Sequence, residues 1–371
     1  MSRNFLDARV AGPDAALREK VAWLSDPRHY PGQPPAVAVI ETHFAWIFLV
    51  GRRAYKLKKP LRRASMDHRT LASRRRACLA ELRLNRRLAP DVYLRVVPLY
   101  RGPGGTLRLR GSPGASWRVA DWLVRMRRLD AALMLDRVIT GGRLRARDLQ
   151  GLAARLAAFF RRAGRRPLAD AAYRARLRRE IRRNAAELCR RDLGLSHASV
   201  LALAKAQLDF IRRRPRAFDG RGARLIDGHG DLRPEHVFLG GSAAAIRVID
   251  CLEFDPDLRR LDPAEEIAFL ALECARLGAP AAAEDLIARY RDAAADPAAP
   301  PLLHFYMSRR AAVRAQIAAW HLRDAAFAGQ WRAWRARANS YLADARRHIH
   351  RAWQLTLVPS VGTPRKLKRS R

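Results

Sequence analysis

Strand patterns and helix patterns are distributed unevenly along this 371-residue chain, and this unevenness constrains its fold most strongly. Short apolar, β-branched or aromatic runs crowd the first third, at Val37–Ile40, Trp46–Val50 and Ala54–Lys59. Helical spacing prevails afterwards, except for two apolar runs separated by a Gly-Gly-Ser turn between residues 237 and 249. The order predicts an α+β protein in which a small antiparallel sheet precedes a larger, mainly helical part.

The same patterns divide the chain into four predicted regions. They are an N-terminal helical extension (1–30), a lobe of sheet and helix (31–126), a helical lobe (127–355) and a basic tail (356–371). No apolar run approaches the roughly 18 residues that cross a bilayer, and charges interrupt the first residues where a signal peptide would be apolar. Four scattered cysteines without a CxxC pair are typical of a reducing compartment. We therefore expect a cytoplasmic protein without a membrane partner.

The formal net charge of +38 is typical of proteins that bind nucleic acid. Only seven of the 73 basic residues are lysines, and the arginines are dispersed along the chain together with many alanines. Few aromatic side chains accompany them as stacking platforms for bases. Charge alone supports a nucleic-acid-associated protein, which remains the third hypothesis for function.

The motif HGDLRPEH at residues 229–236 is the sharpest chemical signal in the sequence. Asp250 follows fourteen residues after His236, at the end of an apolar strand pattern. Phosphoryl transfer needs one carboxylate that orients and deprotonates a hydroxyl, and further oxygen ligands that hold a metal ion on the nucleotide. Asp231 and Asp250 have the spacing for these two tasks. The alternative is a polar loop in which Asp231 only caps a turn.

HGDLRPEHVFL and VIDCLEFDPDLRRLDPAEEIAFL resemble the aminoglycoside-phosphotransferase-like family, which has the two-lobed protein-kinase fold. The resemblance spans roughly residues 24–321 and is greatest to an uncharacterised bacterial branch, sometimes fused to a P-loop ATPase-like module. Segments 26–60 and 81–99 also have counterparts in that branch, whereas a Walker A motif is missing from this sequence. The family implies an ATP-dependent kinase that uses Mg²⁺ or Mn²⁺ and phosphorylates a hydroxyl of a small molecule.

Carried over to this sequence, the resemblance implies that Asp231 is the catalytic base, with His229 in the same loop, and that Asp250 is the principal metal ligand. His236 occupies the second metal position, where most such kinases have asparagine. Imidazole nitrogen suits Mg²⁺ poorly. The sequence leaves open whether His236 hydrogen-bonds Asp231, selects another divalent ion, marks an impaired enzyme or is structural.

The resemblance also implies that Lys58 contacts the nucleotide phosphates and pairs with Glu81 on the following helix. The residue pattern supports this pair, because alternation along the third strand places Lys58 on the face opposite Leu57. Lys56 shares the face of Lys58 and is the alternative.

Two further nucleotide contacts follow from the resemblance. The turn containing Thr42 and His43 lacks the glycines of a nucleotide-covering loop, so these two side chains are expected to supply donors, or else the turn is a simple hairpin. The adenine site is expected at the junction of strand and helix near Val124 and Met126.

Asp262 matches a family position that commonly braces the active site, and the alternative is a residue that serves only the following helix. The leading hypothesis is thus a kinase acting on a small hydroxylated molecule. A nucleotide-binding pseudokinase with a regulatory role is the second hypothesis, because His236 and the glycine-poor turn depart from the family pattern.

Overall fold

The computed structural model describes residues 15–63, 66–109, 114, 116–323 and 329–357. Residues 1–14 of the predicted N-terminal extension and all but the first two residues of the predicted basic tail lie outside this part of the chain. Helix α1 (Ala15–Ser25) is the first described element.

Among the described residues, eight strands and a second helix follow α1 in the first third of the chain. They are β1 (Val37–Glu41), β2 (Ala45–Val50), β3 (Arg53–Lys58), β4 (Arg62–Arg63), β5 (Met66–Asp67), α2 (Leu71–Asn85), β6 (Tyr93–Arg101), β7 (Leu107–Arg108) and β8 (Arg118–Arg127). Six of the strands form one sheet in the order β1-β2-β3-β8-β6-β7, and each neighbouring pair is antiparallel.

The two faces of this sheet carry different side chains of β3, because successive residues of a strand point to opposite faces. Tyr55 and Leu57 pack in one core cluster with side chains of α1, whereas Ala54 packs in another with Cys78 of α2. Lys56 and Lys58 alternate with Tyr55 and Leu57, so both lysines face α2. The predicted orientation of the two lysines relative to Leu57 agrees with this packing.

The described part of the remainder is mainly helical, with four short strands. The elements are α3 (Leu135–Thr140), α4 (Ala146–Arg162), α5 (Asp170–Leu188), α6 (His197–Arg213), β9 (Ile226–Asp227), β10 (Val237–Phe238), β11 (Arg247–Val248), α7 (Pro256–Arg259), β12 (Arg260–Leu261), α8 (Pro263–Arg276), α9 (Pro280–Ala294), α10 (Pro300–Trp320) and α11 (Trp331–Leu357). Strands β10 and β11 pair as the predicted hairpin between residues 237 and 249. The α+β class predicted from the sequence is confirmed.

The described residues belong to two compact units. The first is drawn from 1–166 and 225–295, and contains the six-stranded sheet, α2 and the β10–β11 hairpin; the second is drawn from 167–224 and 296–371, and contains α5, α6, α10 and α11. The residues with predicted chemical roles all lie in the first unit. The four-region division expected from the sequence stays a prediction.

None of the described helices combines the length and the hydrophobicity that crossing a bilayer would require.

Candidate active site

Five charged side chains of the first unit form an alternating chain of ion pairs. Lys56 Nζ donates to Glu81 Oε1 at 2.8 Å and to Asp250 Oδ1 at 2.6 Å. Lys58 Nζ donates to Glu81 Oε2 at 2.6 Å and to Glu253 Oε1 at 2.5 Å. Glu81 is fully buried, and each of its two carboxylate oxygens accepts from a different lysine. The expected Lys58–Glu81 pair is present, and Lys56 makes the further contact to Asp250.

Exposure and charge differ along this chain of ion pairs. The side chain of Lys58 is 3 % exposed, that of Lys56 is 13 % exposed and that of Asp250 is 45 % exposed. Burial disfavours the charged form of Lys56, but Asp250 and Glu81 outweigh it and hold the Lys56 pKa well above its ordinary value. Burial likewise raises the pKa of Glu81, yet the two lysines keep it below its ordinary value. Lys56 and Glu81 are therefore both charged at neutral pH.

Asp250 adopts a left-handed backbone conformation, with φ of +63°. Two hydrogen bonds hold the backbone there: Asp250 N–H donates to the Tyr93 hydroxyl at 3.2 Å, and Cys251 N–H donates to Asn85 Oδ1 at 2.9 Å. This conformation is sparsely populated by residues other than glycine and persists where the surroundings enforce it. Burial raises the pKa of Asp250, but Lys56 and His236 together lower it below its ordinary value, so the carboxylate is ionised.

Glu266, in the first turn of α8, binds the backbone of the loop that contains Asp231. Its fully buried carboxylate accepts hydrogen bonds from the backbone N–H of His229 at 2.9 and 3.0 Å and from that of Gly230 at 2.5 Å. Gly230 has φ of +89°. A side chain at Gly228 would collide with Glu266, since its Cβ would lie 2.8 Å from Oε2. Glu266 thus positions the loop through its backbone.

Sequence reasoning missed this role of Glu266. Glu266 lies in the first turn of α8, where the helix dipole alone is a sufficient local reason for a carboxylate. Asp262, fully buried, is the N-cap of α8 and accepts from Ala264 N–H at 3.0 Å. Asp262 therefore supports the helix that carries Glu266, and its expected role as a brace of the site remains a prediction.

His229 is a buried part of the loop, with 1 % of its surface exposed. Its Nε2 lies 2.9 Å from the carbonyl oxygen of Ile249, which can only accept, so Nε2 carries the proton. Its Nδ1 accepts from Asp231 N–H at 3.3 Å. Burial, and the nearby His236, lower the pKa of His229 to about 4. A neutral His229 therefore ties the loop to the segment before Asp250.

Asp231, Arg233 and His236 form a second polar group beside Asp250. Arg233 donates through Nε to Asp231 Oδ2 at 3.1 Å, and its Nη2 lies 3.2 Å from His236 Nε2. His236 Nδ1 lies 2.8 Å from the backbone oxygen of Asp231. His236 Nε2 is 3.7 Å from Asp250 Oδ2. The predicted base, the predicted metal ligand and the histidine at the second metal position are thus brought together.

The described residues contain no group of three or more His, Cys, Asp or Glu side chains arranged to hold a metal ion by themselves. Mg²⁺ on a nucleotide, however, commonly takes only one or two carboxylates and completes its coordination with phosphates and water. The ionised, half-exposed Asp250 fits that requirement, and His236 adds a nitrogen donor. The donor set therefore fits a metal ion shared with a nucleotide.

The side chain of Thr42 closes the turn between β1 and β2. Thr42 Oγ1 donates to the backbone oxygen of Ala45 at 2.9 Å and accepts from Ala45 N–H at 3.0 Å. The His43 ring packs edge-on against Phe44 with centroids 4.7 Å apart. The Thr42 hydroxyl thus serves the turn, as the simple-hairpin alternative expects; a contact of either side chain with nucleotide remains a prediction.

Val124 and Met126 lie inside β8, which continues to Arg127. This strand pairs with β3 on one side and β6 on the other, with Val124 opposite both Lys56 and Val96. Because a strand with two neighbours uses its backbone groups in both ladders, these two positions contribute buried side chains to the core rather than free backbone donors.

Comparison with known proteins was made by sequence and by structure. No family model matches the chain. Uncharacterized proteins of Mycobacterium tuberculosis and Mycobacterium bovis are each 33 % identical to it over 287 residues, which is 76 % of this chain and 55 % of the relative. The chain spans about half the length of the curated relatives it matches. Uncharacterised bacterial relatives agree with the branch that the sequence resembles.

Among solved structures, a choline/ethanolamine kinase family protein from Mesorhizobium loti has a TM-score of 0.50 at 14 % identity, covering 90 % of this chain and 99 % of that one. A glucosamine kinase in complex with glucosamine, ADP and inorganic phosphate has a TM-score of 0.45 at 20 % identity, covering 87 % and 82 %. Likeness at such identity concerns the fold alone. The chain therefore has the protein-kinase-like fold of the choline/ethanolamine kinase family protein, as its sequence predicts.

Proposed function

We propose that this protein is an ATP-dependent phosphotransferase whose acceptor is a hydroxyl group of a small molecule. One observation carries the proposal. A lysine held by a buried glutamate contacts Asp250, and Asp231 lies on the other side of His236 from Asp250. Phosphoryl transfer needs these three functions close together: a cation for the phosphates, a metal ligand and a base for the acceptor.

Lys56 is our choice for the phosphate contact. It bonds to Asp250 at 2.6 Å, whereas Lys58 bonds to Glu81 and Glu253 and is almost fully buried. A bound nucleotide would meet Lys56 together with a metal ion on Asp250. Lys58 would then act as a positioning residue that shares Glu81 with Lys56. This assignment exchanges the roles that the sequence resemblance implies for the two lysines.

In the proposed reaction, the bond between the γ-phosphorus of ATP and the bridging oxygen of ADP breaks, and a bond from phosphorus to the acceptor oxygen forms. Asp231 orients the acceptor hydroxyl and takes its proton. Lys56 contacts the phosphates, and Glu81 keeps the Lys56 ammonium in place. A metal ion held by Asp250 would neutralise charge on the phosphates. Positioning and electrostatic stabilisation would supply most of the rate enhancement.

The adenine would lie against backbone groups that follow β8, because the backbone of Val124 and Met126 is engaged in the sheet. We place this contact at residues 129–130, between β8 and the helices, because Arg128 N–H donates to the backbone oxygen of Arg52 at 3.0 Å. A neutral or anionic hydroxylated metabolite is the proposed acceptor. The proposal includes action in the cytoplasm, where the four free cysteines would stay reduced.

A nucleotide-binding protein without turnover is the second candidate. The observation that favours it is the contact of Arg233 with both Asp231 and His236, since this guanidinium occupies two groups that catalysis would use. Such a protein would bind ADP and ATP with similar affinity and release no product.

An ATP-consumption screen of the purified protein against a library of hydroxylated metabolites tests the proposal, with Asp231→Asn as the blank. ATP loss that requires both one acceptor and Asp231 supports the phosphotransferase. Binding of ATP by calorimetry without consumption of ATP with any acceptor would support the second candidate instead. No nucleotide affinity with Mg²⁺ or Mn²⁺ would exclude both.

A further inference from the structure

The hydrogen bonds of His236 determine which of its ring nitrogens carries the proton. Nδ1 lies 2.8 Å from the backbone oxygen of Asp231, and a carbonyl oxygen can only accept. The neutral ring must therefore carry its proton on Nδ1 and a lone pair on Nε2. The contact at Nε2 agrees independently, because its partner at 3.2 Å is Nη2 of Arg233, which can only donate.

This lone pair lies beside the carboxylate of Asp250. Oδ1 of Asp250 accepts from Lys56, and Oδ2 is 3.7 Å from His236 Nε2. An ion bonded at roughly 2.1 Å to one nitrogen and one oxygen separates them by about 3.0 Å at a right angle and by about 3.4 Å at a tetrahedral angle. The observed separation is within a few tenths of an ångström of the wider value. Small side-chain rotations would suffice for one ion to reach both atoms.

The backbone contact of His236 is the arrangement that metal-binding histidines use, in which the second ring nitrogen donates to a carbonyl or carboxylate and thereby fixes the ring. Nitrogen donors raise affinity for first-row transition ions far more than for Mg²⁺, which prefers oxygen. His229, the other histidine of the loop, cannot serve in this way, since its Nε2 donates to Ile249 O and its Nδ1 accepts from Asp231 N–H.

We propose that His236 Nε2 is a direct metal ligand, and that it makes this site selective for a first-row transition divalent ion over Mg²⁺. The inference rests on the metal role of Asp250 in the proposed function. Arg233 must leave Nε2 when the ion enters, and it retains its contacts with Asp231 and, at 3.4 Å, with Glu235. Arg233 thus occupies the ligand nitrogen of His236 when no metal ion is bound.

Mn²⁺ is the probe, because its electron spin reports on directly bonded nitrogen without any catalytic turnover. We would add Mn²⁺ to the full-length protein, with and without ADP, and record electron spin echo modulation. The expected result is a ¹⁴N coupling that changes to a ¹⁵N coupling when histidine is isotopically labelled. His236→Asn should lose this coupling, whereas His197→Asn, at an exposed position at the start of α6, should keep it.

Competition gives the size of the effect. Loss of an outer-shell partner of a metal site typically costs about 10- to 100-fold in affinity, so loss of this direct ligand should lower the Mn²⁺ over Mg²⁺ preference at least about tenfold. Absence of a histidine ¹⁴N coupling in the wild-type protein, or its survival in folded His236→Asn, would overturn the inference. Mg²⁺-supported turnover without a histidine coupling would support the phosphotransferase activity but overturn this inference. A histidine coupling without turnover would support this inference but not the phosphotransferase activity.

Discussion

The division of labour between Lys56 and Lys58 gives a quantitative prediction. Lys56→Met removes the cation that contacts Asp250 but leaves Glu81 paired with Lys58 at 2.6 Å. Stranding a buried charge costs about 3–5 kcal/mol, and the remaining pair avoids this cost at Glu81. Asp250, 45 % exposed, can be hydrated after the loss. We therefore expect a loss of stability of about 1 kcal/mol or less.

The effects on activity should be the reverse: the Lys56 substitution should lower activity more than the Lys58 substitution, although it costs less stability. Removing one preorganised donor to a developing charge typically costs about 10²- to 10³-fold in rate, or about 3–4 kcal/mol. Lys56→Met should lower kcat/KM for ATP by this factor. Lys58→Met should lower it only about tenfold, because its role is to position Glu81, yet it should cost more stability, since Glu253 is only 11 % exposed and loses its cation.

Both variants should be compared with wild type by steady-state kinetics and by thermal unfolding, with Lys58→Arg as the matched control that keeps a cation against Glu253. If Lys58→Met proves the more severe lesion for kcat/KM in a protein that unfolds at the same temperature as Lys56→Met, the assignment of the phosphate contact to Lys56 is wrong.

Three other outcomes are expected. Asp231→Asn should leave ADP affinity within about twofold by calorimetry while turnover falls about 10²- to 10⁴-fold, the usual range for a lost general base; comparable turnover would remove Asp231 from catalysis. Burial and His236 hold the pKa of His229 at about 4, so the folded protein favours the neutral ring. The free energy of unfolding that this preference contributes is complete above about pH 6.5 and is lost as the pH falls toward 4. Urea unfolding near pH 5 should show roughly 2 kcal/mol less stability than near pH 7.5 from this residue, and a pH dependence unchanged in His229→Gln would contradict this. Kanamycin-type aminoglycosides should be poor acceptors, because the net charge of +38 repels polycations over the roughly 8 Å that physiological salt leaves unscreened. Efficient phosphorylation of these compounds that increases as the salt concentration is lowered would refute this prediction.

Local pattern was sufficient to predict the sheet, the β10–β11 hairpin and the face of β3 that carries both lysines. These features depend on residues close in sequence, where alternation and turn composition act directly. Which lysine reaches Asp250 depends instead on a contact between residues 194 positions apart. Nothing in the alternation along β3 distinguishes Lys56 from Lys58, so the sequence could only leave both open.

Glu266 and the end of β8 show a second limit. A carboxylate in the first turn of a helix has a sufficient local reason, the helix dipole, which conceals the long-range contact of Glu266 with the loop at His229 and Gly230. The length of β8 depends on its partners, because pairing with β6 continues to Met126 and Arg127 N–H bonds to Val92 O. A strand end of this kind is set by tertiary pairing rather than by the residues of the strand itself.

The left-handed backbone at Asp250 affects how this residue should be mutated. Aspartate and asparagine tolerate positive φ better than alanine does, because their short polar side chains can satisfy nearby backbone groups. Asp250→Ala would therefore remove a charge and also impose a conformational cost of about 1 kcal/mol. Rotating the peptide away from Tyr93 and Asn85 would relieve that cost, and it would move Cys251 and the residues after it. Asp250→Asn keeps the backbone preference and tests the charge alone, so a difference between the two variants measures how much of the site depends on this single dihedral angle.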